Sequence, residues 1–331
     1  MLEALLRYGN RMEVGLLNYG ARMMYLRVPD RNDKLIDIIA GYDDPMLYKK
    51  AGFYYGTLCG RYANRIRNGR FSLNGIHYQL DQNLFPHHLH GGNDGFHSKI
   101  WRDQQVAEHA MCYDLYSQDG EMGYPGNLKI HFTYQIENEH ELNLIYNAIS
   151  DQDTIINLAF HAYFNLADSD SILDHLLFIN ADAITEIDSD CVPTGNYISV
   201  ENTAFDFRKP KKIGKDLFNQ EMQLQYGNGY DHNFILNNKG SMDVPAAILY
   251  SPESGIKMEI YTTQPGIQFY TCNWDKETDR GKSNKLYKNH SFVCLEPQHF
   301  PDSPNHEHFP STVLSAGESY SHRSKFIFSV V

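Results

Sequence analysis

Between residues 128 and 136 apolar and polar positions alternate strictly: Leu128, Ile130, Phe132, Tyr134 and Ile136 are separated by Lys129, His131, Thr133 and Gln135. A period of two puts all five apolar side chains on one face of an extended chain, which predicts a half-buried strand. After polar residues at 137–140 the alternation resumes at Leu142, Leu144, Tyr146 and Ala148, so the two runs are expected to pair as an antiparallel hairpin. Two Asn-Gly steps, Asn68-Gly69 and Asn74-Gly75, supply the positive φ of tight turns and predict a short meander over residues 60–80. Shorter alternations recur at Ile256, Met258 and Ile260 and over 292–295, while helical periodicity is confined to 215–225. With strands throughout and no Gly/Ser linker, repeat or composition shift, the pattern predicts one all-β domain over residues 1–331. A large antiparallel β-sandwich is the expected form, with chemistry carried by its end loops.

Charge narrows the partners. The 331 residues carry 29 Lys+Arg against 41 Asp+Glu, a net charge of −12, with a sequence pI of about 5.7. Nucleic acid and anionic membranes call for a clustered positive field, and neither is expected as a partner. The one basic run, 209–215, is broken by Pro210 and Gly214 and reads as a solvated loop. No stretch approaches the ~18 apolar residues of a membrane span, and no apolar block of signal-peptide length opens the chain, so a cytoplasmic protein is expected. Five scattered cysteines, Cys59, Cys112, Cys191, Cys272 and Cys294, contain no C-x-x-C pair and read as buried thiols. The excess of 23 Tyr, 18 Phe and 16 His suits either the walls of a sheet or a sugar cleft.

Four islands concentrate reactive side chains: Gly60-Arg61-Tyr62-Ala63-Asn64-Arg65-Ile66, His87-His88-Leu89-His90-Gly91-Gly92, His161-Ala162-Tyr163-Phe164-Asn165-Leu166 and Glu296-Pro297-Gln298-His299-Phe300-Pro301-Asp302. Tyr230-Asp231-His232-Asn233 and Pro265-Gly266-Ile267-Gln268-Phe269 join them at strand edges. Singly, each has a plain structural reading. Arg61 or Arg65 supports a loop, His90 caps a turn, and His161 is a core histidine behind an apolar run. Glu296 is the exception, because a carboxylate between Leu295 and Pro297 at the end of an apolar strand is partly desolvated, which raises its pKa toward that of a working base. The histidines at 87, 88, 90, 306 and 308 do not match H-E-x-x-H, and no nucleophile elbow or phosphate-cradling loop is present. What remains is His plus carboxylate amid Arg, Asn, Gln and aromatic rings, a set suited to proton transfer on a polyhydroxylated substrate.

Taken together, G-R-Y-A-N-R-I, L-H-G-G with Gly95-Phe96 and Trp101 downstream, H-x-Y-F-N-L, D-H-N-F, P-G-I-Q-F-Y and L-E-P-Q-H-F-P-D-S-P-N resemble the aldose 1-epimerase (galactose mutarotase) family, in family order from Gly60 to Asn305. The resemblance implies a sandwich of the galactose-mutarotase type and cofactor-free interconversion of the α and β anomers of a free aldohexose such as galactose or glucose. It implies Glu296 as general base, His161 as general acid, and Asn64, Arg65, His90, Tyr163, Asp231 and Gln268 as sugar-binding positions. No metal is implied, and the protein is expected to be a monomer or homodimer. Three departures, His87 where the family usually has Asn and Phe160 and Ala162 where it often has Asn and Ser flanking the histidine, leave the preferred sugar open without touching the reaction. The alternatives are a non-catalytic sugar-binding protein on the same scaffold, or an epimerase for a sugar phosphate or oligosaccharide. With His161 near 6.5 and Glu296 raised above ~4.3, the pair is expected to bracket a mildly acidic to neutral optimum.

Overall fold

In the computed structural model, which describes residues 1, 3–50, 53–273 and 279–331, the expected hairpin forms from strands Leu128–Asn138 and Glu141–Ser150. Leu128 pairs with Ser150 and Ile136 with Leu142, so the two apolar faces share one side of the sheet. There Leu128, Ile130, Phe132 and Tyr134 are buried, while Lys129 and His131 on the other face are exposed. The hairpin lies within a nine-stranded antiparallel sheet that continues on one side to Ala110–Ser117 and Arg102–Ala107. On the other side it continues to Ser319–Val330, Ile256–Thr262 and Ala247–Tyr250. The alternation at Ile256, Met258 and Ile260 is thus one of its strands, all three side chains buried.

A six-stranded sheet runs in the order Tyr163–Phe164, Val293–Gln298, Gly266–Tyr270, Asp231–Leu236, Ala181–Ile187, Pro193–Ser199. It packs into the same core as the larger sheet, which makes the architecture a β-sandwich. One hydrophobic cluster draws residues from Leu6 to Phe328, including Phe132 and Tyr134 from one sheet and Phe234, Phe269 and Leu295 from the other. Ring pairs bridge the layers, Tyr134 with Phe160 at 5.9 Å and Phe164 with Phe326 at 5.9 Å. A four-stranded sheet, Glu3–Tyr8 through Leu35–Asp37, adds Leu6, Val14 and Leu26 to that core.

One local expectation holds and one shifts. The Asn74-Gly75 step is a hairpin turn with φ of +52° and +78° between Arg70–Leu73 and Ile76–Gln79, as its sequence requires. The helix expected over 215–225 is shorter and later, Met222–Gly227. Ahead of it, Lys211–Lys212 pair as an edge strand with Leu176–Ile179 and Ile213–Lys215 form a single 3₁₀ turn, so the start of the expected helix is drawn into the sheet edge instead.

Candidate active site

Short pairings at the end of the sandwich bring the islands together. Strand Thr57–Cys59 pairs with Ala159–His161, and Arg65–Ile66 pairs with His88–Leu89. Gly91 has φ +89°, and a Cβ there would sit 1.8 Å from the Gly60 carbonyl oxygen, so only glycine lets the L-H-G-G turn close on the G-R-Y-A-N-R-I loop. Asn64 and His90 face each other across this contact, both with positive φ, and the Asn64 amide N–H donates to His90 Nδ1 at 3.1 Å. That leaves His90 Nε2 as the ring's N–H donor.

Three adjacent strands of the smaller sheet supply the floor. Gln268 is the cross-strand partner of Glu296, and Asp231 that of Tyr270. In Val293–Gln298, Val293 and Leu295 go to the core while Glu296 takes the opposite face. Asp231 is held on both carboxylate oxygens, by Gln268 Nε2 at 2.6 Å and by an Arg65 terminal nitrogen at 3.3 Å. Gln298 Nε2 donates in turn to Gln268 Oε1 at 3.3 Å, fixing which end of that amide faces Asp231.

All eight residues singled out in the sequence, Asn64, Arg65, His90, His161, Tyr163, Asp231, Gln268 and Glu296, line one cavity of about 230 Å³. His161 Nε2 stands 3.6 Å from Glu296 Oε2, and both side chains are almost fully buried. Tyr163 stacks on the His161 ring at 4.8 Å with 15° between planes. Burial pushes the Glu296 carboxyl well above the ordinary range, with the Asp231 charge adding to the rise and Arg65 opposing it. The same burial pulls His161 down to about 3, with Arg22 adding to the fall. The pair therefore does not titrate as two independent groups near 4.3 and 6.5. It favours a neutral arrangement with one proton on the carboxyl, and moving that proton to His161 leaves the net charge unchanged.

Four further residues line the cavity: Phe53, Tyr54, Leu89 and Tyr270. Tyr54 is the one sequence reasoning missed most clearly, since its ring touches three histidines, His90 at 4.6 Å, His97 at 4.8 Å and His161 at 5.8 Å. The run Phe53-Tyr54-Tyr55 just upstream of Gly60 was the available signal. Arg61, by contrast, fits the bland reading: its guanidinium donates to the Pro125 and Gly126 carbonyls and to Ser117 Oγ, away from the cavity.

The three departures also lie elsewhere. Phe160 and Ala162 alternate with His161 and so enter the hydrophobic core, and His87 accepts from the Asn68 amide and approaches Asp190 at 3.4 Å. None lines the cavity. Of the cysteines, Cys59, Cys191, Cys272 and Cys294 are buried as expected, but Cys112 is only half-buried on a sheet surface, facing the polar side of its strand.

The profile of the aldose 1-epimerase family matches residues 4–326. A galactose mutarotase from Sus scrofa is 41% identical over 323 residues, 97% of this chain and 92% of its own. An aldose 1-epimerase from Haemophilus influenzae is 35% identical over 324 residues, 96% of this chain and 93% of its own. The solved structure of a GalM/aldose epimerase homologue from C. elegans superposes with a TM-score of 0.91 at 30% identity, covering 100% of both chains. A galactose 1-epimerase from Lactobacillus acidophilus superposes with a TM-score of 0.87 at 30% identity over 99% of this chain and 94% of its own. On sequence, fold and the convergence of its motifs, this chain belongs to the aldose 1-epimerase family.

Proposed function

We propose that the protein interconverts the α and β anomers of a free aldohexose such as galactose or glucose, with Glu296 and His161 as the proton-transfer pair. The observation that carries this reading is their placement: a buried carboxyl and a buried imidazole 3.6 Å apart in the wall of one small cavity. At about 230 Å³ that cavity falls below the ~300 Å³ where drug-sized ligand pockets begin, which suits one monosaccharide and disfavours an oligosaccharide.

A cyclic aldose is a hemiacetal. Ring opening removes the proton of the C1 hydroxyl and delivers one to the ring oxygen; rotation about C1–C2 and reclosure give the other anomer. Opening uses the charged form of the pair, Glu296 carboxylate taking the C1 hydroxyl proton while protonated His161 donates to the ring oxygen. This leaves Glu296 protonated and His161 neutral, the form that burial favours and the form that reclosure needs. Both halves of the cycle thus use one shared proton. Each positioned transfer is worth ~10²–10⁴ in rate, ample for a reaction that proceeds slowly unaided. His90 and Arg65 present N–H groups to the oxygens where charge develops, and Asp231 with Gln268 accepts and donates to hydroxyls farther round the ring. Asn64 aligns His90, and Tyr163 with Tyr54 holds the His161 ring between aromatic faces.

The protein is read as working in the cytoplasm as one domain, a monomer or homodimer, on a free sugar and without a cofactor; among the described residues no helix is long and apolar enough to cross a membrane. Polarimetry on freshly dissolved α-D-galactose and α-D-glucose tests the activity, and no acceleration over buffer would sink it. Anomer-resolved NMR of the products separates anomerisation from bond cleavage.

A further inference from the structure

On Val293–Gln298 the alternation that turns Glu296 toward the cavity turns Cys294 to the same face, two residues earlier. Cys294 pairs across strands with Tyr163, and His161 precedes Tyr163 by two, so thiol, imidazole and carboxyl come to one place from two neighbouring segments. One ligand atom from each of His161, Cys294 and Glu296 lies within 4.8 Å of the other two. Glu296 Oε2, the oxygen that faces His161 Nε2, is buried with no hydrogen-bond partner among the described residues. We propose that these three side chains, His161 and Glu296 in the cavity wall and Cys294 in the tyrosine-rich cluster behind it, form an inhibitory site for a soft divalent cation of the zinc and cadmium class, which ties up the proton-transfer pair and withholds it from the sugar.

The donor set selects the ion. A thiolate and an imidazole favour zinc or cadmium over magnesium or calcium, which prefer an all-oxygen shell. Tetrahedral zinc with bonds of ~2.0–2.3 Å has ligand-to-ligand edges of ~3.3–3.8 Å, and the His161 to Glu296 separation of 3.6 Å already lies in that range. A divalent ion on one thiolate, one carboxylate and one neutral imidazole is electroneutral, the charge state a buried cavity tolerates best. Binding forms three coordinate bonds and releases two protons, one from the Cys294 thiol and one from the Glu296–His161 pair, with no change in oxidation state. The inference rests on the proposed acid–base assignment only for its effect on rate.

Cys112, Asp114 and His131 form a second such trio on the outer face of the larger sheet, remote from the cavity lining, and supply an internal control. The experiment titrates cadmium into the full chain carrying Cys112→Ser, reading thiolate-to-metal absorbance with and without saturating galactose, and mutarotation by polarimetry in parallel. One equivalent bound through a thiolate is expected, weakened at least ~tenfold by galactose and by Cys294→Ala, as loss of a ligand should do. Rate should fall in step with occupancy, and Cys294→Ala should keep its metal-free rate while resisting cadmium. Absorbance unchanged by Cys294→Ala, no absorbance at millimolar cadmium, or full occupancy with full rate would each overturn the proposal. If Cys294→Ala fails to fold, Cys294→Ser, which is close in size and removes the thiolate, takes its place. A metal-free protein without mutarotase activity counts against the assignment of Glu296 and His161, and the absorbance readings then decide the metal site alone.

Discussion

Strands Leu128–Asn138 and Val293–Gln298 follow the same alternation and end with opposite duties. In the first, the apolar face meets the core and the polar face, Lys129 and His131, meets water. In the second, both faces are buried: Val293 and Leu295 in the main core, Cys294 in a smaller tyrosine-rich cluster, and Glu296 and Gln298 against other polar groups. A polar face in water is inexpensive and replaceable, whereas a polar face under protein must be hydrogen-bonded or held in an unusual protonation state. The second strand shows both outcomes. Gln298 donates its side-chain N–H to Gln268 and leaves only its Oε1 without a partner among the described residues, while Glu296 keeps an oxygen without a partner and a strongly raised pKa. The proposed site lies where the sheet has buried a polar face that it does not fully satisfy.

The sharpest way to break that contrast is to exchange one atom on the buried polar face. Glu296→Gln keeps the shape and removes the base, and should reduce mutarotation by ~10²–10⁴ while monosaccharide binding persists in calorimetry. Its Tm should be unchanged or higher, because a desolvated ionisable group has been removed. A variant that keeps its rate would refute the base assignment. On the other strand, Phe132→Ala opens the core and should cost ~3–5 kcal/mol in urea unfolding, with the folded fraction retaining wild-type rate. Equal loss of stability from both variants would erase the distinction between the two faces.

Acid should unfold the protein through its buried imidazoles. Burial depresses His161, His232 and His299 to about 3 and His88, His97 and His175 to about 4. In the unfolded chain these groups protonate near ~6.5. Between those values the unfolded state binds more protons, so the stability they confer is complete above pH ~6.5 and is lost as pH falls toward 3–4, by at most ~1.4 kcal/mol per pH unit for each. Glu296 has the opposite sign, its raised pKa favouring the fold at low pH, but it is one group against several. Urea unfolding at pH 7.5, 6 and 5 should show a steady fall, and a flat profile would contradict neutral burial of these histidines. The smallest effect is expected from Lys129→Ala on the solvated face, within ~0.5 kcal/mol in stability and with no change in rate.

Much of the molecule was legible before any tertiary contact was known. The 128–150 hairpin, the Asn74-Gly75 turn and the strand around Ile256 follow from side-chain period and turn chemistry, which act within a few residues. The weak 215–225 periodicity overstated the helix, because the preceding Lys211–Lys212 joins the sheet edge and Ile213–Lys215 form a 3₁₀ turn, leaving only Met222–Gly227 helical. The eight cavity residues were legible through the ordered motifs, and all eight converge. Tyr54 was not, since its importance lies in touching His90, His97 and His161, which are distant in the chain.

What the sequence determined by itself was therefore the strands, the turns and the family to which this chain belongs, because alternation, positive φ and motif order are written locally. Tertiary structure alone decided that Phe160 and Ala162 point into the core while His161, between them, points at Glu296. It also decided the direction in which each group shifts, the carboxyl pushed up and the imidazole pulled down. Protonation follows from burial and neighbouring charge, and residues 161 and 296 acquire both only when the folded sheet removes water from between them.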